Sequence, residues 1–176
     1  FAISYDLSQF SSGILSERYN PRIFMSVGLV ISGILNIVFG CSSSLPVLAV
    51  IWGLNGWFQG WGWPPCAKLL THWYSQKERG TWWGMQNSSH NVGAALIPLL
   101  VGVVAHVFGW RYGMYAAGVL SIAIGLVIFF LLRDTPSTMG LPSIEQFKKD
   151  ADPRLPNQEK EISLKELLFK YILNNA

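Results

Sequence analysis

The chain has 176 residues, 51% of them hydrophobic, 14% aromatic and only 13% charged, with a net charge of +3. A soluble domain carries about a quarter charged residues, and the deficit here is concentrated: no Asp, Glu, Lys or Arg occurs over residues 23–67, 80–110 or 112–132. Because a membrane helix needs roughly 20 mostly apolar residues, those stretches exclude an ordinary soluble domain and predict an all-α, polytopic membrane protein.

In chain order, residues 1 to about 16 read as the end of one helix, apolar at Phe1, Ile3, Leu7, Phe10, Ile14 and Leu15. Phe1 is not an initiator, so the chain is expected to begin inside a helix. A second helix is expected from Ile23 to about Gly40. The small polar run Ser42-Ser43-Ser44 and then Pro46 turn the chain into a third, expected to continue to about Leu70. The charged loop Ser75-Gln76-Lys77-Glu78-Arg79 then separates it from a fourth, about Trp82 to Phe108. Gly109-Trp110-Arg111 is a very short turn into a span over residues 112–132. Beyond Arg133-Asp134-Thr135-Pro136 the composition becomes that of a linker. Ser163 and Glu166 form a capping-box pattern ahead of an apolar stripe at Leu164, Leu167, Leu168, Tyr171 and Ile172. The domain reading is therefore a membrane helical unit over 1–133, a linker over 134–162 and the start of a further helix over 163–176.

The cations lie in the breaks and not on a basic face interleaved with aromatics, which argues against nucleic-acid binding. Arg18, Arg22, Lys68, Lys77, Arg79, Arg133, Lys148 and Lys149 fall in alternate loops, while the two breaks between hold only Arg111. Positive residues concentrate on the cytoplasmic side, so the loops near 20, 75 and 140 are expected there and the turns near 44 and 110 opposite. Cys41 and Cys66 are too few and too deep in apolar sequence to suggest a disulfide framework or a metal site.

Two helices are too polar to be plain anchors. Asn55, Gln59 and Trp63 recur at spacings of four on one expected helical face, and Asn87, His90 and Asn91 share another at i, i+3, i+4. Polar groups at membrane depth usually face the bundle interior or a water-filled cavity. Hydrogen bonding between helices is the structural alternative, supported by small residues for close packing: Gly56 and Gly60, and Gly93, Ala94 and Ala95. His90 is the one ionisable side chain within these stripes and the stronger candidate for a site. His106 near a boundary and His72 in a loop are expected to be structural.

At these residues the sequence resembles a known family. The run from Gly13 through Ser16-Glu17-Arg18 to Asn20-Pro21-Arg22 resembles the major facilitator loop motif after the second helix, with Glu17 where Asp is usual. More specific are Trp57-Phe58-Gln59-Gly60-Trp61-Gly62-Trp63-Pro64-Pro65-Cys66, Trp73-Tyr74-Ser75-Gln76-Lys77-Glu78-Arg79-Gly80, Ser89-His90-Asn91-Val92-Gly93 and Arg133-Asp134-Thr135-Pro136. Together these look like the organophosphate:phosphate antiporter family of the major facilitator superfamily, closest to its hexose-6-phosphate transporter and sensor branch. The resemblance implies a fragment holding helices two to six of twelve plus the central loop. It implies exchange of a sugar phosphate for inorganic phosphate by alternating access, without a cofactor or metal and without enzymatic chemistry.

The resemblance further implies that His90 and Asn87 face the phosphate and that Gln59 and Trp63 line the pocket. Gly13, Glu17, Arg18 and Arg22 would form the conformational loop. Gln9 stands where the family carries a pocket lysine and Asp6 where it carries glycine, shifts of local charge away from what a phosphate dianion needs. That departure keeps open a membrane sensor of the same fold with a signalling partner. A glycerol-3-phosphate antiporter is a further alternative. A bacterial inner membrane is the expected location, or the endoplasmic reticulum for a eukaryotic chain.

Overall fold

The computed structural model describes residues 1–142, 144 and 147; the side chains of residues 17 and 18 lie outside that set. The expected linker beyond this point, the capping box at Ser163 and Glu166 and the start of a further helix lie outside the described residues. The described part is all-α: α1 (Ala2–Arg18), α2 (Pro21–Cys41), α3 (Leu45–Gln59), α4 (Trp63–Trp73), α5 (Gln76–Phe108) and α6 (Trp110–Leu131), then a 3-10 turn at Pro136–Met139.

Local chemistry sets the helix ends. Pro21 opens α2, its fixed φ suited to a first turn, and the Asn20 side chain accepts the Arg22 backbone N–H at 3.0 Å. Gly109, at φ 100°, is the single residue between α5 and α6. A side chain there would be strained, so glycine permits so abrupt a reversal.

Packing is inverted relative to a soluble core. The buried hydrophobic residues among those described are Phe24, Ile51 and Leu69, whereas Ser8, Ser12, Ser16, Ser26, Ser32, Asn36 and Asn55 are all buried. Leu96, Leu99, Val103 and Val107 stand exposed on α5. Lipid drives no hydrophobic association between helices, so they meet through small and hydrogen-bonding residues and turn apolar ones outward. By length and composition, Pro21–Cys41, Gln76–Phe108 and Trp110–Leu131 can each cross a membrane.

The antiparallel pair α2 and α6 is joined by a small-residue seam. A Cβ at Gly33 would sit 2.7 Å from the Gly118 carbonyl oxygen, one at Gly40 would strike the Tyr115 ring, and one at Gly125 would meet Val30 at 2.8 Å. Gly56 and Gly60 serve the same purpose against α1, where added Cβ atoms would meet the Phe1 carbonyl oxygen and Ser8. The other small-residue candidate is not used this way: around Gly93 a Cβ would meet nothing within 4 Å.

The structure changes two expectations. The third helix is not continuous to Leu70: it stops at Gln59 and resumes at Trp63. Pro64 and Pro65 have no N–H to give the preceding turn. The chain instead tightens, with Trp61 N–H donating to the Phe58 carbonyl and Gly62 N–H to that of Gln59. The charged segment at 75–79 is not a loop either. Ser75 caps α5, the Glu78 and Arg79 amides donate to its carbonyl, and its hydroxyl donates to the Glu78 carboxylate at 3.3 Å. At 33 residues α5 is roughly 50 Å long, so its charged first turns extend past a hydrocarbon layer of roughly 30 Å.

The breaks sort into two ends, as the alternation of cations requires. At one end, Arg111 of α6 donates through Nε to the Gly40 carbonyl (3.1 Å) and through Nη2 to Ser43 Oγ (2.7 Å), tying the turn near 44 to the turn near 110. At the other, Lys68 Nζ donates to the Ser16 carbonyl and Trp73 Nε1 to that of Arg133. A cavity lined by Asn20, Arg22, Arg133, Asp134, Thr138 and Met139 lies at this second end.

Candidate functional site

The break in the third span leaves carbonyls without helical partners, Gly60 because Pro64 has no N–H and Trp57 because Trp61 N–H turns to Phe58, and α1 supplies replacements. The Ser8 hydroxyl donates to the Trp57 carbonyl, and Ser12 Oγ donates to that of Gly60 at 3.1 Å. Ser8 and Ser12 are four apart and so face the break together. Gly60 permits the approach, since any larger residue would overlap Ser8.

Immediately before the break, Asn55 is 1% exposed and joins α3 to α2. It donates through Nδ2 to Asn36 Oδ1 at 2.9 Å. Its Oδ1 accepts from the Ser32 hydroxyl and, at 3.4 Å, from Gln59 Nε2. A buried amide is costly unless it is hydrogen-bonded, and here Asn36 takes one of its N–H groups while Ser32 and Gln59 meet its oxygen. Gln59 is exposed, one turn nearer the break. Sequence reading placed Asn55 on a polar face but did not find Ser32 or Asn36, each unremarkable alone on an apolar helix.

After the break, the Trp63 indole meets the His90 imidazole of α5 edge to face, with ring centroids 5.8 Å apart at 70°. Trp63 also contacts Trp83 at 5.7 Å. The two stripes singled out by spacing thus meet at Trp63 and His90. The α5 stripe is itself divided. Asn91 Nδ2 donates to the Asn87 carbonyl, Ser88 Oγ to that of Gly84 and Ser89 Oγ to that of Gln86. Those groups are satisfied by their own helix. Asn87 and His90 are exposed on the same helix. Gln9 is half-buried on α1 beside Ser8. No hydrogen bond or ring contact among the described residues joins Gln9 or Asn87 to the Trp63–His90 pair.

In the loop motif, a Cβ at Gly13 would meet nothing within 4 Å. The expectation for the Glu17 and Arg18 side chains lies outside the described set. Arg22 starts α2 with its guanidinium 5.2 Å from the centre of the Phe129 ring on α6. Among the described residues, no group of three or more His, Cys, Asp or Glu side chains is placed to hold a metal.

A bundle with apolar exteriors, small-residue seams, a broken span and polar groups gathered at the break is the build of a multi-pass membrane protein. The chain belongs to the Major Facilitator Superfamily, whose family model matches residues 1–176. Its relatives agree with the organophosphate:phosphate antiporter branch that the motifs implied. It is 51% identical over 98% of its length to a probable hexose phosphate transport protein of Chlamydia trachomatis. It is 49% identical over 99% to the membrane sensor protein UhpC of Escherichia coli, and 41% identical over 99% to the glycerol-3-phosphate transporter of Bacillus subtilis. The chain spans about 40% of the length of each of these relatives.

Proposed function

We propose that this chain is part of a secondary transporter that exchanges a hexose phosphate, such as glucose 6-phosphate, for inorganic phosphate by alternating access. The observation that carries the reading is the meeting of Trp63 and His90 beside the broken span. It brings an aromatic surface and an imidazole together, four residues along the chain from Gln59, in a region that otherwise lacks charge. In this reading His90 and Asn87 face the phosphate, Gln59 and Trp63 line the sugar-phosphate pocket, and Gln9 borders it from α1. Gly13, Glu17, Arg18 and Arg22 form the loop that moves between the two access states. Transport requires the longer protein of which this chain is a part, in a bacterial inner membrane with the helix ends near 20, 75 and 140 cytoplasmic.

A sensor that binds hexose phosphate and signals to a partner is the second reading, supported by the similarity to UhpC relatives and by Asp6 and Gln9 in place of a more positive pair. The deciding measurement uses the full-length protein in phosphate-loaded liposomes, with labelled glucose 6-phosphate and glycerol 3-phosphate outside. Uptake of glucose 6-phosphate that depends on internal phosphate is the expected result. Preference for glycerol 3-phosphate would move the substrate to that branch, and binding without uptake of either would favour the sensor.

A further inference from the structure

We infer that Trp83 is a positioning residue: from α5 it holds the Trp63 indole against His90, and so sets where the imidazole stands in the pocket. The inference rests on the transporter reading above, in which Trp63 and His90 belong to that pocket.

Trp63 meets α5 at two points. Its ring centroid is 5.7 Å from that of Trp83 at 75°, and 5.8 Å from that of His90 at 70°. Both separations fall in the range of about 4.5–7 Å over which edge-to-face rings attract. Trp83 and His90 are seven residues apart, so they share one face of α5 at roughly 10 Å along its axis. The indole therefore lies between them, with Trp83 towards the start of α5 and His90 towards its middle. Gln86, between the two on the same side, is the one residue of 81–92 that is not exposed, as a position under the indole should be.

The backbone of Trp63 has little freedom, since it opens α4 and stands directly before Pro64. What remains free is the side chain, and the rings on either side of it limit its rotation. His90 is exposed and makes no hydrogen bond to a described residue, so the contact with Trp63 is what orients the imidazole. Without Trp83 the indole can swing towards the start of α5, and His90 loses that contact. Trp83 also stands four residues after Arg79, where an aromatic anchor at the membrane surface would be found. An anchor acts through its depth, whereas a positioning residue acts through its ring on Trp63.

The test uses the full-length protein in liposomes, with phosphate–phosphate exchange as the reaction. Trp83→Leu is expected to raise the KM for phosphate about fivefold, the effect of one lost edge-to-face contact, with kcat within about twofold. Trp83→Phe keeps a ring against Trp63 and should restore the parent KM to within about twofold. Trp83→Leu combined with Trp63→Leu should be no worse than Trp63→Leu alone, because the two act in series. The second readout is the His90 imidazole proton resonance, assigned by its absence in His90→Ala. It should move in Trp83→Leu, as the Trp63 ring current is displaced, and return in Trp83→Phe. A parent KM with an unmoved resonance in Trp83→Leu would overturn the positioning role, as would losses that add in the double variant. A loss confined to the amount of protein in the membrane would also overturn it, leaving Trp83 an anchor alone. Should Trp83→Leu fail to reach the membrane, Trp83→Ile removes the ring equally and is read by the same two measurements. A parent KM in Trp63→Leu would instead take the ring pair out of the pocket, and the reading beneath with it.

Discussion

Gly33 on α2 and Gly118 on α6 stand so close that a Cβ on either would lie 2.7 Å from the carbonyl oxygen of the other. No side chain at either position could move to relieve that overlap, because the opposing atom is backbone. The helices would have to separate. Gly118→Leu should therefore destabilise the protein by about 1–3 kcal/mol, the usual cost of overpacking, read as a lowered midpoint of thermal unfolding in detergent. Gly93→Leu is the matched control: around Gly93 there is room, and its midpoint should stay close to the parent's.

The broken span offers a second prediction. Ser8→Ala and Ser12→Ala each remove the donor to a carbonyl that the break has freed, at about 1 kcal/mol each. Pro64→Ala in the Ser12→Ala background should recover part of the loss, since an amide at position 64 can reach the Gly60 carbonyl. A midpoint that falls further in the double variant would show that the Gly60 carbonyl is not what Ser12 serves.

His90→Ala in the full-length protein should abolish phosphate exchange while leaving its amount in the membrane unchanged. His90 is exposed and its main contact is with Trp63, so its loss should not unfold the bundle. Exchange at the parent rate would take the phosphate end of the pocket away from α5.

Gln9→Lys should tighten phosphate binding by about tenfold if position 9 faces the pocket, because a cation acts strongly on an anion in low dielectric. Equilibrium binding of labelled phosphate in detergent reads this directly. Unchanged or weaker binding would place Gln9 outside the pocket.

The membrane-spanning segments were legible because charge is excluded from them, and that exclusion is a property of single residues. The break in the third span was not, although Gly60, Gly62, Pro64 and Pro65 were in view, because the stretch had the length of a full crossing and was read as one. The charged segment after Tyr74 was misread for the opposite reason. Its charges suggested a loop, while the Ser75–Glu78 pairing makes it a helix start. Within the site, Gln59, Trp63 and His90 could be found from helical spacing and family resemblance. Ser32 and Asn36 could not, since their role depends on which helix packs against which. One signal was available and passed over: Ser8, Ser12 and Ser16 recur every four residues on α1, and all three are buried.

The tandem prolines at 64 and 65 also decide what the interrupted span can offer a solute. A helix start usually presents several unpaired amides, which attract anions. Here two of those positions have no hydrogen to give, and Trp61, Gly62 and Cys66 have already committed theirs to Phe58, Gln59 and Gly62. The interruption is rich in main-chain oxygen and nearly bare of main-chain N–H. It is therefore poorly suited to cradling an oxyanion with its backbone, and negative charge arriving there has to be answered chiefly by side chains.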